Sequence, residues 1–172
     1  PVHIVDSKNV SLALGMVVDA AVEARDAGLD GQGVADVATK AAKETRLLFV
    51  LDTLEYLVKG GRAGKAQALA ASLLSIKPVL TIDADGIIDA FRKVKGMKKA
   101  VSDIADEVVA AAGNGTVEMY VLHSDETLVD ELLADIAGKG LSIEPGEVGM
   151  VGAVISTYVG LRCIGAAFRT RA

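Results

Sequence analysis

The sequence has little of several things, and each shortage excludes something. There is one cysteine, Cys163, so an internal disulfide and a cysteine metal cluster are both out. There is no tryptophan, and aromatic residues make up only 3% of the chain. Positive charge is also short: the net charge is −5. Few aromatic platforms and an acidic balance argue against a nucleic-acid surface. No apolar run approaches the roughly twenty residues of a membrane span. His/Cys pairs at metal-ligand spacing are lacking, so no metal or other cofactor is expected. A secretory leader is not visible either, and the chain opens at Pro1, without a methionine and almost directly on a strand. That opening reads as a start inside a longer protein.

What is present is aliphatic. Hydrophobic residues form 51% of 172 residues, enough for one domain with a substantial alanine-rich core. Val2–Val5 reads as a short strand ending at Asp6-Ser7. A helix follows over Leu12–Ala27, stopped by Gly28, and Asp30 caps a second one. Leu47–Leu51 is apolar throughout and reads as a buried strand. Asp52 or Thr53 caps a short segment that Gly60-Gly61 ends before Arg62. An alanine-rich helix over about Lys65–Leu74 comes next. Lys77–Asp83 and Ile87–Val94 form a hairpin around Ala84-Asp85-Gly86. A helix is expected over Met97–Ala112, a strand over Thr116–His123, and a helix capped by Ser124. A strand near Leu141–Glu144 and a glycine-punctuated tail close the chain. Strands alternating with helices predict a three-layer α/β/α sandwich with a mostly parallel sheet and one β-hairpin. Ligands of such sheets sit beyond the carboxyl ends of strands, which would here carry Asp6-Ser7, Asp52-Thr53, His123-Ser124 and Ser156-Thr-Tyr158.

Candidate residues have bland and functional readings side by side. Arg62, a cation at a helix start, is either an ion-pair partner of Asp52 or Glu55 or a residue facing an anionic ligand. Lys93, Lys95, Lys98 and Lys99 form a basic stretch in an acidic protein, either solvated or docking an acidic partner. Tyr158 either packs in the core with a satisfied hydroxyl or touches a ligand. His3 and His123 lack a nucleophile at readable spacing and read as structural. Gly60-Gly61-Arg62-Ala63-Gly64-Lys65 lacks the order of a phosphate-binding loop. No catalytic residue stands out.

Several pieces resemble the DegV family of fatty-acid-binding proteins. They are Val5-Asp6-Ser7 with Ser11 and Gly15, then Leu54-Glu-Tyr-Leu-Val-Lys-Gly-Gly-Arg62. Ser75-Ile-Lys-Pro78, the Asp85-Gly86 hairpin and Lys93-Val-Lys-Gly-Met-Lys-Lys99 follow. The string ending in Gly-Gly-Arg, with Ile-Lys-Pro close behind, is highly specific. The resemblance covers essentially the whole chain but only the family's larger, C-terminal domain, so 1–172 is expected to be that single domain with the N-terminal domain absent. It implies a cytoplasmic bacterial protein that holds one long-chain fatty acid between two domains and presents the carboxylate to a separate fatty acid kinase. Such a protein is a carrier, not an enzyme. It also implies a fold shared with mannose-type phosphotransferase and dihydroxyacetone kinase components, and kinship with such a subunit is an alternative, as is a protein-interaction domain docking through its basic face.

Where the family has Ile-Gly-x-His-x-Gly-Pro-Gly, this chain has Ile155-Ser-Thr-Tyr158-Val-Gly160-Leu-Arg162. A tyrosine hydroxyl still donates a hydrogen bond to a carboxylate, but without the titration near neutrality that histidine brings. Arg162 restores a positive charge in the same stretch. The resemblance thus implies ligand contacts at Tyr158, Arg62, Gly160 and Ser156, and partner docking at Lys95, Lys93 and Arg162. Half of a ligand tunnel exposes apolar surface, so self-association of the isolated domain is expected.

Overall fold

The computed structural model describes the backbone of residues 1–72, 76–113 and 115–171, with side chains for all of these except 70–72. Helices α1 (Ser11–Asp26) and α2 (Gly31–Glu44) form an antiparallel pair that precedes strand β1 (Arg46–Leu51). Gly28 turns between them at φ +87°, and Asp30 Oδ1 accepts the Gly33 amide at 2.8 Å as the cap of α2. After β1 come α3 (Glu55–Lys59) and a 3-10 segment over Gly64–Ser72. The hairpin is β2 (Ile76–Ile82) and β3 (Ile88–Lys95). Then follow α4 (Met97–Ala112), β4 (Thr116–His123), α5 (Thr127–Gly138), β5 (Glu147–Met150), α6 (Ala153–Val159) and β6 (Cys163–Arg171).

The strands form one sheet in the order β3-β2-β1-β6-β4-β5. Leu48, Val50, Val79, Val121 and Ile164 face α4 and α5, while Leu47, Phe49, Leu80 and Leu122 face α1 and α3. The three layers expected from the sequence are therefore present.

The sheet is mixed, not mostly parallel: among the described strands only β4 and β5 pair in parallel, and the β1–β2, β1–β6, β2–β3 and β4–β6 ladders are antiparallel. The cause is local. Five-residue α3 and the 3-10 segment do not carry the chain back across the sheet, so β2 returns beside β1 in the opposite direction. β6 then inserts between β1 and β4 and opposes both. Strands β1, β3, β4 and β5 do point the same way, but β2 and β6 separate most of them.

Other expectations change with it. Val2–Val5 is not a strand and pairs with none among the described residues. Leu141–Glu144 is not a strand; the edge strand is β5, a few residues on. The closing stretch is α6 followed by a fully incorporated strand. The alanine-rich helix is a 3-10 segment, and its last expected residues, Leu73 and Leu74, lie outside the described residues, as does Ser75. Ser124 does not cap α5. Its Oγ accepts the Cys163 amide at 2.9 Å, and Asp125 Oδ1 instead accepts the Thr127 amide at 3.1 Å and the Thr127 hydroxyl at 2.6 Å.

Candidate binding slot between the sheet and helices 3 and 6

A cavity of about 120 Å³ lies on the α1/α3 face of the sheet. Strand alternation builds its floor: Leu47 and Phe49 of β1, Leu122 of β4 and Cys163 of β6 all project to this face. Ile82 and Ile88 close one side from the hairpin, and Leu57 of α3 with Ile155 and Val159 of α6 form the wall opposite. Val10 and Ser11 border it at the start of α1, and Arg62 and Tyr158 complete the lining. Nearly every lining group is aliphatic or aromatic.

Helices α3 and α6 are joined by two reciprocal contacts. The Tyr158 ring occupies the space over Gly60, where an added Cβ would come within 2.5 Å of it. The Tyr56 ring occupies the space over Gly160, where a Cβ would meet it at 2.9 Å. Gly160 has φ +78°, a left-handed geometry that ends α6 and that glycine adopts without strain. The Arg62 guanidinium lies 5.2 Å from the centroid of the Tyr158 ring, and its Nη1 donates to the Gly60 carbonyl at 2.7 Å. That hydrogen bond uses one donor of the guanidinium, and the cation is exposed at the cavity wall.

The structure thus brings Arg62 and Tyr158 together. Gly160 serves the same wall as the seat of Tyr56. Ser156, on α6, donates its hydroxyl to the Val151 carbonyl at 3.2 Å and does not line the cavity. Arg162 is tied elsewhere: Nε meets Asp125 Oδ2 at 3.1 Å, and its carbonyl accepts the Asp52 amide at 3.0 Å. The Asp125 carboxyl is held below the usual range by the Thr127 hydroxyl first and by Arg162 as well. Lys93 and Lys95 lie on β3 outside the cavity, opposite Pro78 and Ile76. Arg92 and Val94, between and beside them, face α4, so Lys93 and Lys95 project from the other face. Asp6 and Ser7 sit at no strand end, whereas Asp52 and His123 do; Lys77 Nζ reaches Asp52 Oδ1 at 2.9 Å across that end.

Sequence reasoning missed the floor. Cys163 is fully buried, and burial pushes its thiol up to about 12, so at neutral pH it is an uncharged wall group. The stretch around it is apolar on both faces and gave no alternation to read. Neither histidine borders the cavity: His123 is buried on the α4/α5 face with Nδ1 unpartnered, and the His3 ring rests against Gly31. Among the described residues no group of three His, Cys, Asp or Glu side chains could hold a metal ion, and no helix is long and apolar enough to cross a membrane.

A family model described as "Uncharacterised protein, DegV family" matches residues 1–171. DegV domain-containing proteins of Streptomyces coelicolor and Clostridium acetobutylicum are each 34% identical over 99% and 98% of this chain and over 61% and 59% of their own length. Among solved structures, a fatty-acid-binding DegV family protein from Thermus thermophilus superposes with a TM-score of 0.89 at 33% identity, covering 98% of this chain and 61% of that one. A fatty-acid-binding DegV family protein from Streptococcus agalactiae gives 0.89 at 27% identity, over 99% and 60%. The chain belongs to the DegV family. It spans about three-fifths of the length of these relatives.

Proposed function

We propose that this chain is the lipid-binding module of a long-chain fatty acid carrier, with the acyl chain in the slot and the carboxylate near Arg62 and Tyr158. The carrying observation is chemical: an apolar cavity with one guanidinium and one phenol at its wall is complementary to an anionic amphiphile. The related proteins from Thermus thermophilus and Streptococcus agalactiae are described as fatty acid binding, which supports the same ligand class. A buried methylene is worth about 0.8 kcal/mol, so an aliphatic slot gains affinity from chain length without polar contacts. At about 120 Å³ the cavity is on the scale of the ~150 Å³ dry cavities that accept benzene. It takes a segment of an acyl chain, and the rest would lie against a second domain.

In this reading the carrier presents the carboxylate to a separate fatty acid kinase and is not itself the catalyst. Arg62, Lys93, Lys95 and Lys98 support a docking rim: with Lys43 they are the lysines and arginines without a carboxylate partner among the described residues. Native mass spectrometry of the intact protein from a lipid-replete host should show one bound fatty acid. A ligand-free spectrum, with no mass gained on adding oleate or palmitate, would exclude the reading.

A further inference from the structure

A second cavity, of about 760 Å³, lies beyond Ile82 from the slot, and Ile82 borders both. Its walls are the turn before α1, the last turn of α2, the start of β1 and the end of β2. Where the slot is aliphatic, this cavity is bordered by Ser7, Asn9, Thr39, Thr45 and Thr81. The turn belongs to the domain's own packing. Asn9 Nδ2 donates to the Ala42 carbonyl of α2 at 3.2 Å and to the Ser7 carbonyl at 2.9 Å. Lys8 is held at φ +53°, and a Cβ added to Gly86 of the hairpin would lie 3.3 Å from its side chain. A non-glycine residue keeps that conformation only where its surroundings fix it.

The lining is positive in a protein whose net charge is −5. Asp6 pairs with Lys8 at 3.2 Å and Asp83 pairs with Lys65, so both lining carboxylates are neutralised. Lys43 and Arg46 remain, on either side of the end of α2. Lys43 has no carboxylate partner among the described residues, and Arg46 spends only Nη2 on Glu107, at 3.0 Å. Polar capacity is left over as well. Ser7 Oγ accepts the Asn9 amide at 3.2 Å, but its proton has no acceptor among the described residues. Asn9 Oδ1 has no donor there, and the Thr45 hydroxyl is buried without a partner. Unspent cations beside unspent donors and acceptors, in a volume typical of small-molecule sites, define a ligand by complementarity. We propose that this cavity binds a small hydroxylated anion, with its phosphate or carboxylate group between Lys43 and Arg46 and its hydroxyls on Ser7 and Asn9. The site is separate from the lipid slot and does not rest on the fatty acid reading.

The test is a titration of the intact natural polypeptide with inorganic phosphate, ribose 5-phosphate and gluconate, followed by amide NMR shifts. Ribose 5-phosphate or gluconate should shift the amides of Ser7, Asn9, Lys43 and Thr45, and whichever binds more tightly assigns the anion as phosphate or carboxylate. Lys43 is exposed and unpaired, so Lys43→Gln should fold normally. It should weaken that binding by about tenfold or more, the worth of one charge-assisted hydrogen bond. Lys98→Gln, which removes an equally unpartnered cation from α4, should leave it unchanged. No shift at these amides with about 10 mM of either organic probe, a concentration that reveals even millimolar binding, would overturn the proposal. Equal weakening by Lys98→Gln would overturn it too, since the anion would then be reading overall charge. Inorganic phosphate binding as tightly as ribose 5-phosphate would overturn the hydroxyl contacts and leave an adventitious ion only. Bound fatty acid, weighed on the same samples, reports on the lipid reading separately.

Discussion

At the residue scale, two glycines decide the slot more than any charged group does. Gly160 carries two constraints at once: φ +78° and a ring 2.9 Å from where a Cβ would lie. Left-handed backbone costs a non-glycine residue about 1–2 kcal/mol, and moving Tyr56 off its seat adds overpacking of similar size. Gly160→Ala should therefore lower stability by about 2–4 kcal/mol in denaturant titration and weaken lipid retention. A second residue-scale prediction concerns Glu118. Burial works to raise its pKa, but Arg171 and Arg169 outweigh that and hold the carboxyl below its ordinary value. Arg169 Nε meets it at 2.7 Å, Arg171 Nη2 meets it at 2.9 Å, and Arg171 continues to Glu23 of α1 at 2.9 Å. A folded-state pKa below the unfolded one means stability present above the unfolded value, near 4.3, and lost as pH falls through the folded one. Glu118→Gln should cost about 1.5–3 kcal/mol at neutral pH, and its stability should fall less steeply than the wild type's below about pH 4. Parallel stability–pH curves for the two proteins would refute that assignment.

At the scale of elements, β6 explains both what was readable and what was not. Elements with strong local signals emerge where their sequence places them: α4 over Met97–Ala112, β4 over Thr116–His123, the hairpin around Gly86, and the cap at Asp30. β6 gives little local signal. Cys163-Ile-Gly-Ala-Ala-Phe168 has one β-branched residue and is buried on both faces, so it neither alternates nor resembles an amphipathic helix. Its strand character comes from β1 and β4 on either side. Missing it turned a mixed, mostly antiparallel sheet into an expected mostly parallel one with a single hairpin, and left the slot without its floor at Cys163. The Gly-Gly-Arg string was legible as a family mark, and Tyr158 as the residue replacing a histidine, but their meeting across α3 and α6 depends on packing. The reverse error at Val2–Val5 has the same origin: a strand pattern is visible in sequence, but no described strand lies beside it to complete a ladder. Small residues in β6 are a requirement of close approach. A Cβ on Gly165 would lie 2.8 Å from Phe49 Cβ and 2.9 Å from the Leu48 carbonyl oxygen. Gly165→Val, although better suited to a strand by propensity, should destabilise by about 3 kcal/mol or more, because it forces β1 and β6 apart at the centre of the sheet. An unchanged melting temperature would show that the ladder tolerates the spread.

At the scale of the whole molecule, charge is distributed unevenly enough to separate the proposed lipid slot from the proposed docking rim. The protein carries a net charge of −5, and among the described residues thirteen of its eighteen lysines and arginines pair with carboxylates. Of the five that do not, Lys93, Lys95 and Lys98 fall in one stretch at the end of β3 and the start of α4, and Arg62 stands at the slot. A cation without a partner gains nothing for folding, so these lysines can be reversed at little cost to stability. They do contribute to the field an approaching acidic protein would meet, and such steering falls as salt rises, the screening length being about 8 Å at physiological ionic strength. The triple change Lys93→Glu, Lys95→Glu and Lys98→Glu should leave the melting temperature and the bound fatty acid unchanged. On the proposed carrier reading, it should slow association with the proposed fatty acid kinase at least tenfold at low salt and flatten the salt dependence of the association rate. Arg62→Ala should differ in kind: it removes the guanidinium from the Tyr158 ring and the slot wall, so lipid retention falls along with docking. If the triple variant lost its lipid, or associated as fast as the wild type with the same salt slope, the separation of slot from rim would fail. Loss of lipid in Arg62→Ala alone would place that residue at the meeting point of the two surfaces.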